Sequence, residues 1–192
     1  MTAPPVVVVP YDPTWRERGA QLAAELCHGL GALALRVEHI GSTSIPGMAA
    51  KPVYDLQVSV HDLEAAESFD QPLAGYGLSR RPWQEDHVPA GRSDPPELWR
   101  KRLWNKATPG GERVNLHCRL AGSPNERLAL LFRDWFRAHP DAVAAYSEFK
   151  LRLAAAVPDV DAYTDIKDPV VDLVIGTAEA WAEAMGWSCV TT

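Results

Sequence analysis

A period of two runs through Val53-Tyr54-Asp55-Leu56-Gln57-Val58-Ser59-Val60, setting Tyr54, Leu56, Val58 and Val60 on one side and Val53, Asp55, Gln57 and Ser59 on the other. Arg113 to Leu120 alternates in the same way and predicts a second strand, with Leu98 to Lys106 as its hairpin partner across the turn residues Thr108-Pro109-Gly110-Gly111. The β-branched run Val6–Val9, ending at Pro10, and the segment Leu35–Ile40 read as two further strands. Elsewhere the period lengthens. Trp15, Leu22, Leu26 and Leu30 recur at helical spacing behind Asp12-Pro13, a cap followed by proline in the first turn, and predict a helix over 13–29. Residues 61–78 read as a helix crossing the sheet, and the proline-bearing stretch 80–96 as a loop. Leu128, Leu131, Phe132, Trp135 and Phe136, then Ala142, Tyr146, Phe149 and Leu153, predict two packed helices broken at His139-Pro140. Asp168-Pro169 predicts the start of a third, carrying Val170, Val174, Ala178, Trp181 and Met185.

With 192 residues and 46% hydrophobic content, the chain can bury a core of its own. The expected organisation is one domain, with residues 1–122 forming a sheet core and 123–187 a helical portion. A net charge of −6 argues against a general affinity for nucleic-acid backbones, which needs clustered basic surface, and favours a small-molecule substrate. Cys27, Cys118 and Cys189 are too far apart for a paired motif, so they read as thiols in a reducing compartment. No basic segment leads into a long apolar stretch, so the expectation is a cytoplasmic protein without a membrane partner.

The polar faces carry the candidate chemistry. Gly41-Ser42-Thr43-Ser44 precedes the Asp55 strand, and small residues there let backbone N–H groups approach phosphate oxygens, with Ser42 and Ser44 as hydroxyl donors and Lys51 as a point charge. Asp55 is a candidate ligand for a divalent metal, but Gln57 stands where a second anion would help, and an amide offers only one neutral oxygen. Arg113, Asn115, His117 and Arg119 share a strand face. That face is either solvated sheet surface or, if its strand neighbours Asp55, a source of a metal ligand or proton carrier at His117. Arg100, Arg102, Trp104 and Lys106 share another, which is either the charged guard of an edge strand or a clamp for a triphosphate with Trp104 as stacking plane.

The run Val37-Glu38-His39-Ile40-Gly41-Ser42-Thr43-Ser44-Ile45-Pro46-Gly47, continuing through Lys51-Pro52-Val53-Tyr54-Asp55, closely resembles the signature of the GrpB family. Val8 to Pro13 with Trp15 is similar to that family's opening, Asn115-Leu116-His117 to its His-Leu-His strand, and Leu131 to Pro140 with Tyr146, Lys150, Tyr163 and Lys167 to its helical portion. The resemblance implies an α+β, nucleotidyltransferase-like fold, in which a mixed β-sheet is flanked by helices and followed by a C-terminal helical extension. The wider superfamily places two carboxylates on one strand and a third on a neighbour. Asp55 matches the first, Gln57 replaces the second, and Asn115 or His117 takes the place of the third.

The resulting expectation is binding of a nucleoside triphosphate, ATP first, with Mg²⁺ or Mn²⁺, and transfer of a nucleotidyl group to a small molecule, adenylate-forming ligase chemistry included. Asp55 and His117 would serve as metal ligands and catalytic groups. Gly41, Ser42, Thr43, Ser44, Lys51, Gln57, Arg100, Arg102, Lys106 and Arg119 would hold the nucleotide, and Arg133, Lys150 and Lys167 match family positions that could reach the pocket. The alternative is a nucleotide- or metabolite-binding module without catalysis. Some family members are fused to the kinase that completes coenzyme A synthesis.

Overall fold

The alternating segments form one sheet. In the computed structural model, which describes residues 5–107 and 111–189, β1 (Arg36–Ile40), β2 (Tyr54–Val60), β3 (Ser79–Arg81), β4 (Lys101–Ala107) and β5 (Arg113–Leu120) are ordered β1-β2-β5-β4-β3. β2 and β5 run parallel, and the other neighbours antiparallel. Of the turn expected at Thr108 to Gly111, residues 108–110 lie outside the described residues. Helices α1 (Thr14–Leu30), α2 (Asp70–Ala74), α3 (Pro124–Ala138), α4 (Pro140–Ala156) and α5 (Val160–Met185) flank the sheet, so the fold is α+β with a mixed sheet and C-terminal helices.

The two sheet faces have different neighbours. Leu56, Val58 and Val60 of β2 and Val114, Leu116 and Cys118 of β5 are buried against Leu22, Leu26 and Leu30 of α1, because alternation places every second residue on the side that α1 covers. A second core lies among the C-terminal helices, where Leu131, Trp135, Phe136, Tyr146 and Ile175 enclose Met48. Ser123 caps α3, accepting from the Glu126 N–H, and proline follows at the first helical position. No helix among the described residues is long and apolar enough to cross a membrane.

Four expectations about elements need correction. Val6–Val9 is not a strand: only Val9 bridges, to Ala50, while Val6 packs against Leu153 and Tyr163, so the apolar run serves the helices. Residues 61–78 do not form one crossing helix. Pro72, Gly75 and Gly77 break it into a 3-10 turn at Ala65–Phe69 and the short α2, anchored by buried Phe69 and Leu73. The stretch 80–96 is not loop throughout, since β3 ends in it and Glu85 bridges to Arg100. Pro169 lies inside α5, which starts nine residues earlier at Val160 and is capped by Asp159, its side chain accepting from Ala162 N–H. Packing of α5 on α3 and α4 outweighs the backbone hydrogen bond lost at the proline.

Candidate functional site

On the face turned away from α1, the register lines up three rows across the central strands. Arg36, Ser59, Arg119 and Lys101 form one, Glu38, Gln57, His117 and Leu103 the next, and Ile40, Asp55, Asn115 and Asn105 the third. These rows differ in burial. Ser59, Gln57, Arg119 and Lys101 are buried, whereas the Asp55 side chain keeps 33% of its surface open. The polar face is sealed at one end and open at the other.

The first turn of α3 makes the seal. Glu126, itself buried, accepts hydrogen bonds from Ser59 Oγ, Arg36 Nη2 and the Gly122 N–H. Asp86, reaching in from the proline-bearing segment, pairs with Arg119 at 2.7 Å and Lys101 at 2.5 Å and accepts from Asn125. Burial alone would raise the Asp86 carboxylic acid, but Arg119 and Lys101 hold it far below the ordinary range. Gln57 Oε1 accepts from Arg119 Nη1 at 2.6 Å and Gln57 Nε2 donates to the Glu126 carbonyl. Gln57 and Arg119, expected to touch a nucleotide, are instead bound to each other beneath the cleft.

At the open end Asp55 Oδ1 accepts from Asn115 Nδ2 at 2.9 Å and stands 3.8 Å from His117 Nε2, longer than a hydrogen bond. Burial would raise the Asp55 pKa, but His117, Asn115 and the charge of Lys51 outweigh it and keep the carboxylate ionised. His117 is pushed the other way by burial, which disfavours its charged form, and its buried Nδ1 makes no hydrogen bond to a described group. The site therefore pairs a carboxylate with a neutral imidazole.

The Gly41 turn closes over this pair. Its φ is +67° and ψ −173°, a conformation only glycine adopts readily, and a Cβ there would come within 2.6 Å of Asp55 Oδ2. Thr43 and Ser44 are buried and engaged locally: Thr43 Oγ1 donates to the Val53 carbonyl and meets His39 Nε2, while Ser44 Oγ donates to the Gly41 carbonyl. Their expected role at a phosphate gives way to holding the turn. Ser42 is the hydroxyl that reaches a partner across the site, accepting from Lys150 Nζ at 2.9 Å.

Lys150 is the residue that periodicity passed over. It is 2% exposed on the buried stripe of α4, between Tyr146 and Leu153, and a lysine on such a stripe is itself a signal. Lys51 sits over the Tyr163 ring and Lys150 over the Tyr146 ring. The charges of Lys167 and Lys51 both act on Lys150. Arg133 does not enter this group; it binds Glu38, Asp134 and the His39 carbonyl.

Arg100, Arg102 and Lys106 do not reach the site. Arg102, Trp104 and Lys106 pair in register with Cys118, Leu116 and Val114, which places them on the α1 side of the sheet. Arg100 and Arg102 pair with Glu64, and Arg102 also with Glu67. Trp104 is fully buried, donating to Asp70, and Lys106 lines a separate hollow of about 370 Å³ with Arg18 and Tyr76. Arg102, Trp104 and Lys106 do share a face, but it is the one turned toward α1.

Asp55 offers the oxygen donor a hard divalent cation prefers, and His117 a nitrogen. Among the described residues no group of three or more His, Cys, Asp or Glu side chains comes together as a metal centre. A metal at Asp55 thus fits only with further oxygens from a ligand, as Mg²⁺ commonly takes from phosphates.

Comparison with known proteins agrees with this architecture. A family model described as "GrpB protein" matches residues 5–176. The chain is 37% identical to a protein named dephospho-CoA kinase from Mycolicibacterium paratuberculosis over 95% of its own length and 48% of that protein's. It is 33% identical to a UPF0157 protein of Pseudomonas aeruginosa over 91% of its length and 68% of the relative's. The crystal structure of a conserved GrpB protein from Enterococcus faecalis superimposes with a TM-score of 0.70 at 29% identity, covering 91% of this chain and 99% of that one. The chain spans about half the length of the mycobacterial relatives it matches, 48% of each.

Proposed function

The chain belongs to the GrpB family, and from that premise we propose that it binds a nucleoside triphosphate, ATP first, with a divalent metal, and transfers a nucleotidyl group to a small molecule in the cytoplasm. The observation that carries this reading is the meeting of Asp55, Asn115 and His117 under a glycine turn too tight for any side chain. The phosphates would lie along the Gly41-Ser42 backbone with Lys51 as counter-charge, and His117 Nε2, neutral and beside the carboxylate, would take the proton of the attacking hydroxyl or amine. Mg²⁺ or Mn²⁺ would be held by Asp55, with His117 beside it, and would neutralise charge on the phosphates when bound. The name dephospho-CoA kinase, carried by relatives about twice as long, fits a nucleotide-handling protein. Pyrophosphate release with each nucleoside triphosphate over a panel of small hydroxyl, amine and carboxylate acceptors tests the reading, together with calorimetric titration of each nucleotide.

One observation favours a second reading, a nucleotide- or metabolite-binding module without catalysis. Gln57 is locked in the interior by Arg119 and the Glu126 carbonyl, so no second metal-binding oxygen comes from that position. Tight nucleotide binding with no pyrophosphate release over the whole panel would support it.

A further inference from the structure

Among the described residues two lysines at this site make no ion pair, although the charge of Asp55 acts on Lys51. Among the described residues neither Lys51 nor Lys150 has a carboxylate within ion-pairing distance, and Lys150 Nζ, a group with three protons to donate, has the Ser42 hydroxyl as its one protein acceptor. Lys150 is almost wholly buried, and a buried ammonium without a counter-ion is costly. Lys167 adds a third positive charge, offset by Asp168 at 2.7 Å. The segment before β2 and helices α4 and α5 thus supply lysines whose charges act on one another, with Lys150 against Ser42 and each of Lys51 and Lys150 resting on a tyrosine ring.

We propose that Lys51, Lys150 and Lys167, with the Ser42 hydroxyl, form the subsite for the terminal phosphates of the ligand, so that the substrate class is one ending in a phosphate or pyrophosphate dianion, and that Lys150 takes up a proton when this group binds. The proposal rests on the nucleotide reading only for the part of the ligand beyond the phosphates. It also replaces Arg100 and Arg102, which pair with Glu64 away from the site.

The charges around Lys150 agree with this. Burial, and then the charges of Lys167 and Lys51, push it down to about 7, so it is poised between its two forms near neutrality. The groups facing the cluster are Lys51 before β2, Asp55 on β2, Arg113 on β5, Lys167 and Asp168 on α5, and the Tyr146 and Tyr163 rings. Asp55 is engaged by Asn115 and His117. A bound dianion would supply the missing counter-charge and raise the Lys150 pKa. Between the free and bound values, binding takes up a proton, and affinity falls by up to about tenfold per pH unit as pH rises.

Calorimetric titration of inorganic pyrophosphate into the full chain without divalent metal, at pH 8 in two buffers of different ionisation enthalpy, counts that proton. Lys150→Arg cancels the probe's own ionisation, because an arginine stays charged. The wild type should take up close to one proton more than Lys150→Arg, and Lys150→Gln should bind pyrophosphate about tenfold more weakly or worse at pH 7. A ζ-nitrogen resonance of Lys150 titrating near 7 alone and at least about two units higher with pyrophosphate gives the same answer without any variant. No pyrophosphate binding, or equal proton counts in wild type and Lys150→Arg, overturns the proposal. Pyrophosphate binding that depends on Lys150, with no nucleoside triphosphate bound, would leave it standing and remove the nucleotide reading instead.

Discussion

Arg119 Nη1 and Gln57 Oε1 meet at 2.6 Å between the parallel strands β5 and β2, inside the protein. The polar residue two positions after Asp55 is therefore the support of the site, and Arg119 carries its order on to Asp86.

Restoring a carboxylate by Gln57→Glu should not create a second metal ligand. The new anion would pair with Arg119 and lose the donor that now satisfies the Glu126 carbonyl, at a cost of about 1–3 kcal/mol. Urea denaturation should show that loss, and calorimetry should show unchanged Mn²⁺ affinity. Tighter Mn²⁺ binding would mean that the side chain can turn into the cleft.

Asp55→Asn tests the metal directly. If Asp55 shares a divalent ion with the ligand's phosphates, nucleotide and metal raise each other's affinity by about 1–3 kcal/mol in the wild type, and the variant should lose that coupling while melting cooperatively. Nucleotide affinity that ignores Mg²⁺ in the wild type would point to metal-independent binding.

Gly41→Ala should be costly at a position with little else to lose. The backbone conformation alone is worth about 1–3 kcal/mol against alanine, and the added Cβ would meet Asp55 Oδ2 at 2.6 Å. Thermal denaturation should show at least that much, with ligand binding weakened as well. A neutral substitution would mean the turn can relax away from Asp55.

His39 sets a pH dependence. Buried between Gly19 and Thr43, it is pushed down to about 4, chiefly by burial. The unfolded chain binds the proton first, near 6.5, so His39 favours folding fully above that value and the contribution is lost as pH falls toward 4, by roughly 3 kcal/mol in total. Burial accounts for the neutral form, and the hydrogen bonds select its tautomer: the Thr43 hydroxyl donates to the Val53 carbonyl, so His39 Nε2 donates to Thr43 Oγ1. NMR titration should find an imidazole that stays neutral to below pH 5; one protonating near 6.5 in the folded state overturns this.

Trp135→Ala should cost about 3–5 kcal/mol in a denaturant melt, since the ring is 8% exposed and packed on Phe136 and His139. A small loss would mean that α3 does not hold the second core together.

The sequence by itself determined which residues share a face and which helices carry an apolar stripe, because a period of two or 3.6 is local backbone geometry. Asp55, Gln57 and Ser59 had to lie on one side of β2, and Trp135 and Phe136 had to be inside. It also marked the Gly41 turn, whose small residues are a local requirement. Tertiary structure alone decided what those faces meet. Alternation grouped Arg102, Trp104 and Lys106, but the hairpin register turned that group toward α1, and a shift of one residue would have reversed it. Glu64 and Glu67 then took the arginines as ion-pair partners, while Glu126 and Asp86 sealed one end of the polar face. Lys150 and Ser42 are 108 residues apart. Their contact follows from how α4 packs on α3, α5 and the segment between β1 and β2, because burial and charge pairing depend on distances between segments that no local period encodes.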